Sequence, residues 1–123
     1  MTYEIDELLK KVKKIHFIGI GGSGMCPLAE ILLSWGYEIT GSDNNPGDNI
    51  DKLRSLGVKI TMGQKAENIK GAEMIVYTAA LLSDNPELCA AEESSIPTFE
   101  RSKLFGAITR RFSNCIGVCG THG

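Results

Sequence analysis

Residues 15–24 read Ile-His-Phe-Ile-Gly-Ile-Gly-Gly-Ser-Gly. A short apolar run ends here in a glycine-rich turn, and residues 25–35 follow with apolar side chains at helical spacing. This order predicts a buried strand, a tight loop and a helix, the opening of a nucleotide-binding βαβ unit. Glycines at 19, 21 and 24 allow the tight turn and let a pyrophosphate approach the backbone amides.

Strands and helices alternate outward from this stretch with short connections. The predicted strands cover residues 15–18, 37–41, 58–62, 74–78, 97–99 and 114–119. The predicted helices cover residues 3–14, 25–35, 50–56, 85–94 and 101–110, with a short helix or turn at 65–70. The pattern predicts an α/β fold, Rossmann-like and doubly wound, with a mainly parallel sheet of five to six strands and helices on both faces.

The bulk composition narrows the class of protein. The chain has 123 residues and a net charge of −2, from 13 Lys+Arg against 15 Asp+Glu, which argues against a nucleic-acid partner. No apolar run approaches the roughly 20 residues that span a bilayer, and the acidic start lacks a signal-peptide core. We therefore expect a cytoplasmic protein without a membrane partner. Its four cysteines predict reduced, buried thiols and no metal site.

A diphosphate is the ligand that the glycine loop favours. The helix that begins near Ser23 aims free N–H groups at an anion, and the additional Gly22 opens the loop further. Asp43 ends the second predicted strand, 19 residues after Gly24 (43 − 24), where a carboxylate can accept hydrogen bonds from a ribose. A capping or turn role for Asp43 is compatible with this reading.

Other candidate residues lie at the carboxyl ends of later strands, where open α/β sheets bind ligands. Thr78, Ala79 and Ala80 end the fourth strand and precede Leu81. Arg101 follows the fifth strand and could pair with an anion, or be a solvated first-turn arginine. Capping of the next helix is the favoured role for Asp84 or Asn85, and burial with a hydrogen bond the favoured role for His16.

The last four residues, Gly120-Thr121-His122-Gly123, follow an apolar run and look like the start of a phosphate-binding loop. Lys and Ser or Thr should come next, and Val118 stands where the full pattern has its first glycine. We therefore expect the front piece of a nucleotide-driven enzyme, divided into a binding domain at 1–113 and the start of an ATP-binding domain at 114–123.

Four motifs together resemble the Mur ligase family of peptidoglycan synthesis, in particular its branch that joins L-alanine to UDP-N-acetylmuramate. They are residues 16–25, Gly41-Ser42-Asp43, Asp84-Asn85-Pro86-Glu87 and Gly120-Thr121-His122-Gly123, and their order and spacing cover the whole chain. The first loop is less like that of the related murein peptide ligases. The resemblance implies a three-domain cytoplasmic enzyme that uses ATP and Mg²⁺ to form an acyl phosphate, which the amine of L-alanine then attacks.

The resemblance also implies roles for individual residues. The first domain would bind the UDP part of UDP-N-acetylmuramate, with the diphosphate held by the loop of Gly19, Gly21, Gly22, Ser23, Gly24 and Met25. Ser42 and Asp43 would lie by the uridine, and residues 78–81 would border the ligand. Gly120, Thr121, His122 and Gly123 would begin the ATP site. No catalytic residue, metal or bound cofactor is expected within this piece, which should be inactive alone.

Two other functions fit the residues themselves. The glycine loop would accept NAD as readily as a uridine diphosphate, as in a freestanding regulatory or dehydrogenase module; the lack of an arginine after Asp43 disfavours NADP. A scaffold that only docks partner domains is the third reading.

Overall fold

The computed structural model describes residues 4–22, 24–78 and 85–120, with side chains as far as residue 111. Five strands form its sheet: β1 (Lys14–Ile18), β2 (Glu38–Asp43), β3 (Lys59–Met62), β4 (Met74–Tyr77) and β5 (Thr98–Glu100). The helices are α1 (Glu4–Leu9), α2 (Cys26–Ser34), α3 (Asp48–Ser55), α4 (Pro86–Glu93) and α5 (Arg101–Gly120), with a 3₁₀ turn at Ala66–Ile69.

The sheet is entirely parallel and has the strand order β3-β2-β1-β4-β5. Ile15 of β1 is paired with Ile39 on one side and with Met74 on the other. The chain therefore winds in one direction from β1 to β3 and in the other from β4 to β5. The switch between β1 and β4 opens a crevice at the carboxyl ends of the strands. This arrangement confirms the predicted doubly wound α/β fold, with five strands.

The predicted sixth strand at 114–119 is wrong, because this segment belongs to α5. A strand needs a neighbouring strand to satisfy its N–H and C=O groups, and no strand of the described sheet borders residues 114–119. The helix satisfies those groups within itself. The predicted domain boundary at 113/114 lies within α5 and stays a prediction.

Alternate residues of the central strands pack against helices on opposite faces. On one face, Ile15 and Phe17 of β1 join residues of α1, α2, α3 and α5 in the larger core. On the other face, Ile18 and Ile75 pack with Leu88 and Ala91 of α4. This continuous burial is what a parallel strand covered on both faces requires, and it fixes the carboxyl ends of β1, β2 and β4 as one rigid edge.

Helices α1 and α5 are joined by an ion pair. Arg110 donates from Nε and Nη2 to the two carboxylate oxygens of Asp6, at 2.8 and 2.6 Å. The neighbouring Arg111 lies 4.3 Å from the ring centroid of Trp35. Both arginines thus have structural contacts away from the glycine loop. None of the helices in the described part of the chain is long and apolar enough to cross a membrane.

Candidate functional site

The glycine loop leaves β1 through a turn that only glycine adopts without strain. Gly19 has a φ of 80°, in the left-handed region. The amides of Gly19 and Ile20 both donate to the carbonyl of Ser42, at 2.8 and 3.0 Å, so the end of β2 holds the start of the loop. Ile20 is fully buried against Gly41, where an added Cβ would lie 2.6 Å from the Ile20 Cδ1. The glycine in β2 therefore makes room for the loop to fold back over the sheet.

Two side chains from the carboxyl side of β2 hold Gly21 from both sides. The amide of Gly21 donates to Oδ2 of Asp43 at 2.8 Å, and Nδ2 of Asn49 donates to the Gly21 carbonyl at 2.9 Å. The other oxygen of Asp43 accepts from the Asn45 amide at 3.0 Å. Asp43 therefore has the turn role that its sequence position suggested, and in addition orients the middle of the glycine loop.

A cavity of about 380 Å³ lies between the glycine loop and the connection from β2 to α3. Its walls are mostly backbone, amide and carboxylate groups: Gly19, Gly21, Gly22, Asp43, Asn45, Pro46, Gly47, Asp48, Asn49 and Ile50. Such a lining is hydrogen-bonding, and its glycines leave main-chain atoms open to contact. Its amide, carboxylate and main-chain groups can hydrogen-bond a sugar or a phosphate group.

The beginning of α2 faces the same loop. Met25 occupies the cap position and makes no side-chain cap; the amides of Met25 and Cys26 both donate to the carbonyl of Gly22 at 3.0 Å, and Pro27 has no N–H. Arg101 of α5 lies against this point, since a Cβ added to Gly24 would be 3.1 Å from its Nε. The described part of the chain offers the half-buried guanidinium no hydrogen-bond or ion-pair partner. One cation and one helix start therefore meet at Gly24.

A buried polar network lies beneath the loop. Glu87 is fully buried, and its Oε2 accepts from Ser42 Oγ at 2.8 Å and contacts Nε2 of His16 at 2.5 Å. The other carboxylate oxygen, Oε1, accepts from Nδ2 of Asn68 at 2.9 Å and from the Lys65 amide at 3.2 Å. Nδ1 of His16 meets the Thr40 hydroxyl at 2.8 Å. The network joins β1, β2, α4 and the segment after β3.

Sequence reasoning found part of this network and missed its centre. It predicted a buried, hydrogen-bonded His16, which the structure confirms. Glu87 was not predicted to be buried, because an acidic residue in the first turn of a helix is ordinarily exposed to solvent, where it suits the helix dipole. The side chain of Ser42 points into the network; the Ser42 carbonyl is the part that contacts the loop.

Asn85 caps α4, as predicted: its Oδ1 accepts from the amides of Glu87 and Leu88 at 3.0 and 3.1 Å. Met25 is buried beside the loop, and Thr78 directly follows β4 at the crevice. Gly120 ends α5. The remaining candidates, Ser23, Ala79, Ala80, Leu81, Asp84, Thr121, His122 and Gly123, lie outside the described residues.

The cysteine beside the loop is held in its thiol form. Cys26 begins α2, where a helix dipole would favour a thiolate, but burial and the carboxylate of Glu30 raise the pKa of its thiol to about 11. Its Sγ lies 3.3 Å from Oε2 of Glu30, to which it donates. Cys26 and Cys89 are both free thiols, but the predicted burial holds for Cys26 and not for Cys89, which is half-buried; the side chains of Cys115 and Cys119 lie outside those described. The chemistry of the site therefore comes from backbone amides, Asp43 and Arg101.

Comparison with known proteins gives a consistent answer. The model of the "Mur ligase family, catalytic domain" matches residues 14–113. UDP-N-acetylmuramate–L-alanine ligases from Sulfurihydrogenibium and Acetivibrio thermocellus are each 49% identical over 113 residues, which is 92% of this chain. The chain spans about a quarter of those relatives, 25% and 24% of their lengths.

Solved structures agree with the sequence relatives. A UDP-N-acetylmuramate–alanine ligase from Thermotoga maritima superposes with a TM-score of 0.76 and 34% identity, over 80% of this chain and 23% of that one. A UDP-N-acetylmuramate:L-alanyl-γ-D-glutamyl-meso-diaminopimelate ligase from Neisseria meningitides gives 0.68 and 27%, over 73% and 29%. The motifs, the fold and these matches lead to one conclusion: the chain belongs to the Mur ligase family.

Proposed function

We propose that this domain binds UDP-N-acetylmuramate through its uridine diphosphate part, within a ligase that joins L-alanine to that substrate at the expense of ATP. The observation that carries the proposal is the glycine loop, whose backbone borders a cavity lined by Asp and Asn side chains at the carboxyl ends of the strands. The relatives that match nearly all of the chain are named as ligases of this substrate and amino acid.

The diphosphate is assigned to the loop on electrostatic grounds. The start of α2 presents the positive end of the helix dipole to the loop, and Arg101 adds a full positive charge beside Gly24. Asp43, Asn45 and Asn49 line the cavity next to the loop and suit hydroxyl and carbonyl groups, so we assign the uridine to that side.

The ligase reaction requires ATP, Mg²⁺ and L-alanine in this proposal, and none of these is assigned to a described residue. The loop that the resemblance links to ATP begins at Gly120, where the described residues end. We propose that the share of this domain in catalysis is to hold and orient the substrate, and that the 123 residues alone release no phosphate from ATP.

Thermal melting with three ligands tests the binding proposal. UDP-N-acetylmuramate and UDP should each raise the melting temperature, because a ligand that binds only the folded state at about 100 times its Kd adds roughly 2.7 kcal/mol of stability. Stabilisation by NAD and by neither uridine compound would identify the alternative, a dinucleotide-binding module. A melting temperature that no ligand moves would favour a scaffold.

Calorimetry extends the test to the rest of the enzyme. UDP-N-acetylmuramate should bind this chain more weakly than it binds one of the longer relatives, because the lactyl end of the sugar would reach toward parts that this chain does not contain. Equal affinities would mean that the domain makes all of the contacts itself.

A further inference from the structure

Gln64 lies beside the crevice, in the connection that follows β3, and its side chain belongs to a chain of three amides. Oε1 of Gln64 accepts from Nδ2 of Asn85 at 2.5 Å and from Nδ2 of Asn44 at 3.0 Å. The amide nitrogen of the Gln64 backbone in turn donates to Oδ1 of Asn44 at 3.2 Å. Elements on both sides of the switch point are thus connected through one half-buried side chain.

Backbone donors decide which way each of these amides points. Oδ1 of Asn85 accepts from two main-chain amides of α4, so its NH₂ group has to face Gln64. Oδ1 of Asn44 accepts from the Gln64 main chain, so its NH₂ group faces Gln64 as well. Two donors converge on one atom, and that atom must be the Gln64 oxygen. The orientation of Gln64 therefore follows from groups that cannot be reversed.

Because the Gln64 oxygen faces Asn44 and Asn85, its NH₂ group faces the crevice and can donate a hydrogen bond there. Nε2 of Gln64 lies near Gly19, within 3.8 Å of where a Cβ on that glycine would be, and Cγ2 of Thr78 lies at 3.9 Å from the same point. In the described part of the chain Nε2 has no hydrogen-bond partner. It stands where β1 ends, next to the first glycine of the loop.

We propose that Gln64 is a specificity-determining residue, whose Nε2 donates to an oxygen of the bound sugar nucleotide where it crosses the β1–β4 crevice. The inference rests on the proposed function, since it requires a ligand on the glycine loop. It adds a side-chain donor at the β1–β4 crevice, on the side of the loop away from Asn45 and Asn49. An oxygen of either the diphosphate or the attached sugar would provide the acceptor.

The decisive measurement follows the Gln64 side-chain amide by ¹⁵N–¹H spectroscopy. Its two proton signals are identified by their absence from the spectrum of Gln64→Glu. In the wild-type chain, addition of UDP or UDP-N-acetylmuramate should shift one of them strongly downfield, as a new hydrogen bond does. A shift with UDP assigns the acceptor to the diphosphate, and a shift only with UDP-N-acetylmuramate assigns it to the sugar.

Two variants measure what the donor contributes. Gln64→Glu keeps the oxygen that accepts from Asn44 and Asn85 but loses the donor; Gln64→Met loses the donor without adding charge. Both should bind the ligand roughly tenfold more weakly, the effect of one lost hydrogen bond to a charged acceptor. Glu67→Gln, at an exposed position of the turn that follows Gln64, is the control and should bind within about twofold.

Each result separates the inference from the proposal beneath it. If the backbone amides of Gly19, Gly21 and Gly22 shift with ligand and the Gln64 side-chain amide does not, Gln64 is no ligand contact and the inference is wrong. Weaker binding by Gln64→Glu alone, with Gln64→Met like wild type, would reduce the effect to charge repulsion and also overturn it. If no loop amide responds to either compound, the proposed function fails, and the inference fails with it.

Discussion

His16 and Glu87 meet 2.5 Å apart, Nε2 to Oε2, with the imidazole 2% and the carboxylate 0% exposed. The contact joins the central strand of the sheet to the first turn of α4, 71 residues away along the chain. Ser42, Asn68 and the Lys65 amide complete the coordination of the carboxylate. A buried carboxylate is tolerated here because each oxygen accepts from protein donors and because it lies at a helix start.

Replacing Glu87 should therefore be costly for the fold. Glu87→Ala leaves a histidine, a hydroxyl, a side-chain amide and a backbone amide without their acceptor, and we expect a loss of about 3–5 kcal/mol in the free energy of unfolding. Urea denaturation measures this loss. Glu92→Ala, at an exposed position of the same helix, should stay within about 0.5 kcal/mol of wild type. Equal stability of the two variants would show that the network adds little.

The variant Gly21→Ala tests whether the loop requires a residue without a side chain at this position. A Cβ there would lie 2.9 Å from both the Asp43 Oδ2 and the Ile50 Cδ1, so Gly21→Ala should cost about 1–3 kcal/mol of stability. The displaced carboxylate would also misplace the loop and weaken UDP binding, by roughly tenfold for each 1.4 kcal/mol of binding energy lost.

Gly47→Ala is the matched control for that variant. Gly47 lines the same cavity, but a Cβ there meets nothing within 4 Å, and its φ of 174° is extended backbone. We expect stability within about 0.5 kcal/mol of wild type and a smaller loss of UDP affinity than in Gly21→Ala, because the loop itself is not displaced. If both alanine variants bound UDP as wild type does, the close fit at Gly21 would be irrelevant to the ligand.

Arg101 should contribute to the affinity for the diphosphate rather than to stability. Arg101→Ala is expected to weaken UDP binding by roughly tenfold or more, since a charge-assisted hydrogen bond is worth about 1.5–3 kcal/mol. Lys103→Ala removes the same charge from an exposed position in the same turn of α5 and should have little effect. Calorimetry at two salt concentrations checks both; equal losses in the two variants would indicate only a general electrostatic effect.

The pair of Asp6 and Arg110 gives the fold a dependence on pH. The hydrogen bonds from Arg110 lower the pKa of Asp6 below its ordinary value of 3.8. Folding therefore favours the ionised carboxylate, and its stabilisation is present above about pH 4 and lost as the pH falls through the lower folded-state pKa. Asp6→Asn should cost about 1 kcal/mol near pH 7, where the pair is partly exposed, and almost nothing in strong acid.

Urea midpoints at several pH values measure this dependence. Glu4→Gln, at an exposed position of the same helix, is the control and should not change the difference between neutral and acid stability. A constant difference between Asp6→Asn and wild type from neutral to acid pH would contradict the assignment of that titration to Asp6.

Local patterns in the sequence were sufficient for the sheet and the glycine loop. The predicted strand 15–18 and helix 25–35 begin and end within one residue of β1 and α2. They could be predicted because apolar periodicity and glycine positions are local signals. The segment 114–119 was misread for the same reason. Its apolar and β-branched residues suit a strand, but a strand also depends on a neighbour that no local pattern reports.

The side-chain networks could not be predicted from the sequence. Glu87 and Gln64 occupy positions, a first helical turn and a loop, where polar residues are ordinarily solvated. Only the three-dimensional packing brings Glu87 under β1 and Gln64 beside Gly19. By contrast, the turn at Asp43 and the cap at Asn85 involve residues two or three positions away, and such local contacts leave a recognisable pattern.

The cap of α4 has a consequence for how this domain can vary. Serine, threonine, aspartate and asparagine all serve as caps elsewhere, with small differences in energy. At position 85 the cap also donates to Gln64, and asparagine alone among these combines an acceptor with a directed NH₂ group. Exchange of Asn85 for aspartate would therefore keep the helix start but remove one of the two donors to the Gln64 oxygen. The Asn85 side chain thus both caps α4 and orients the amide of Gln64 toward the crevice, so one substitution would affect both.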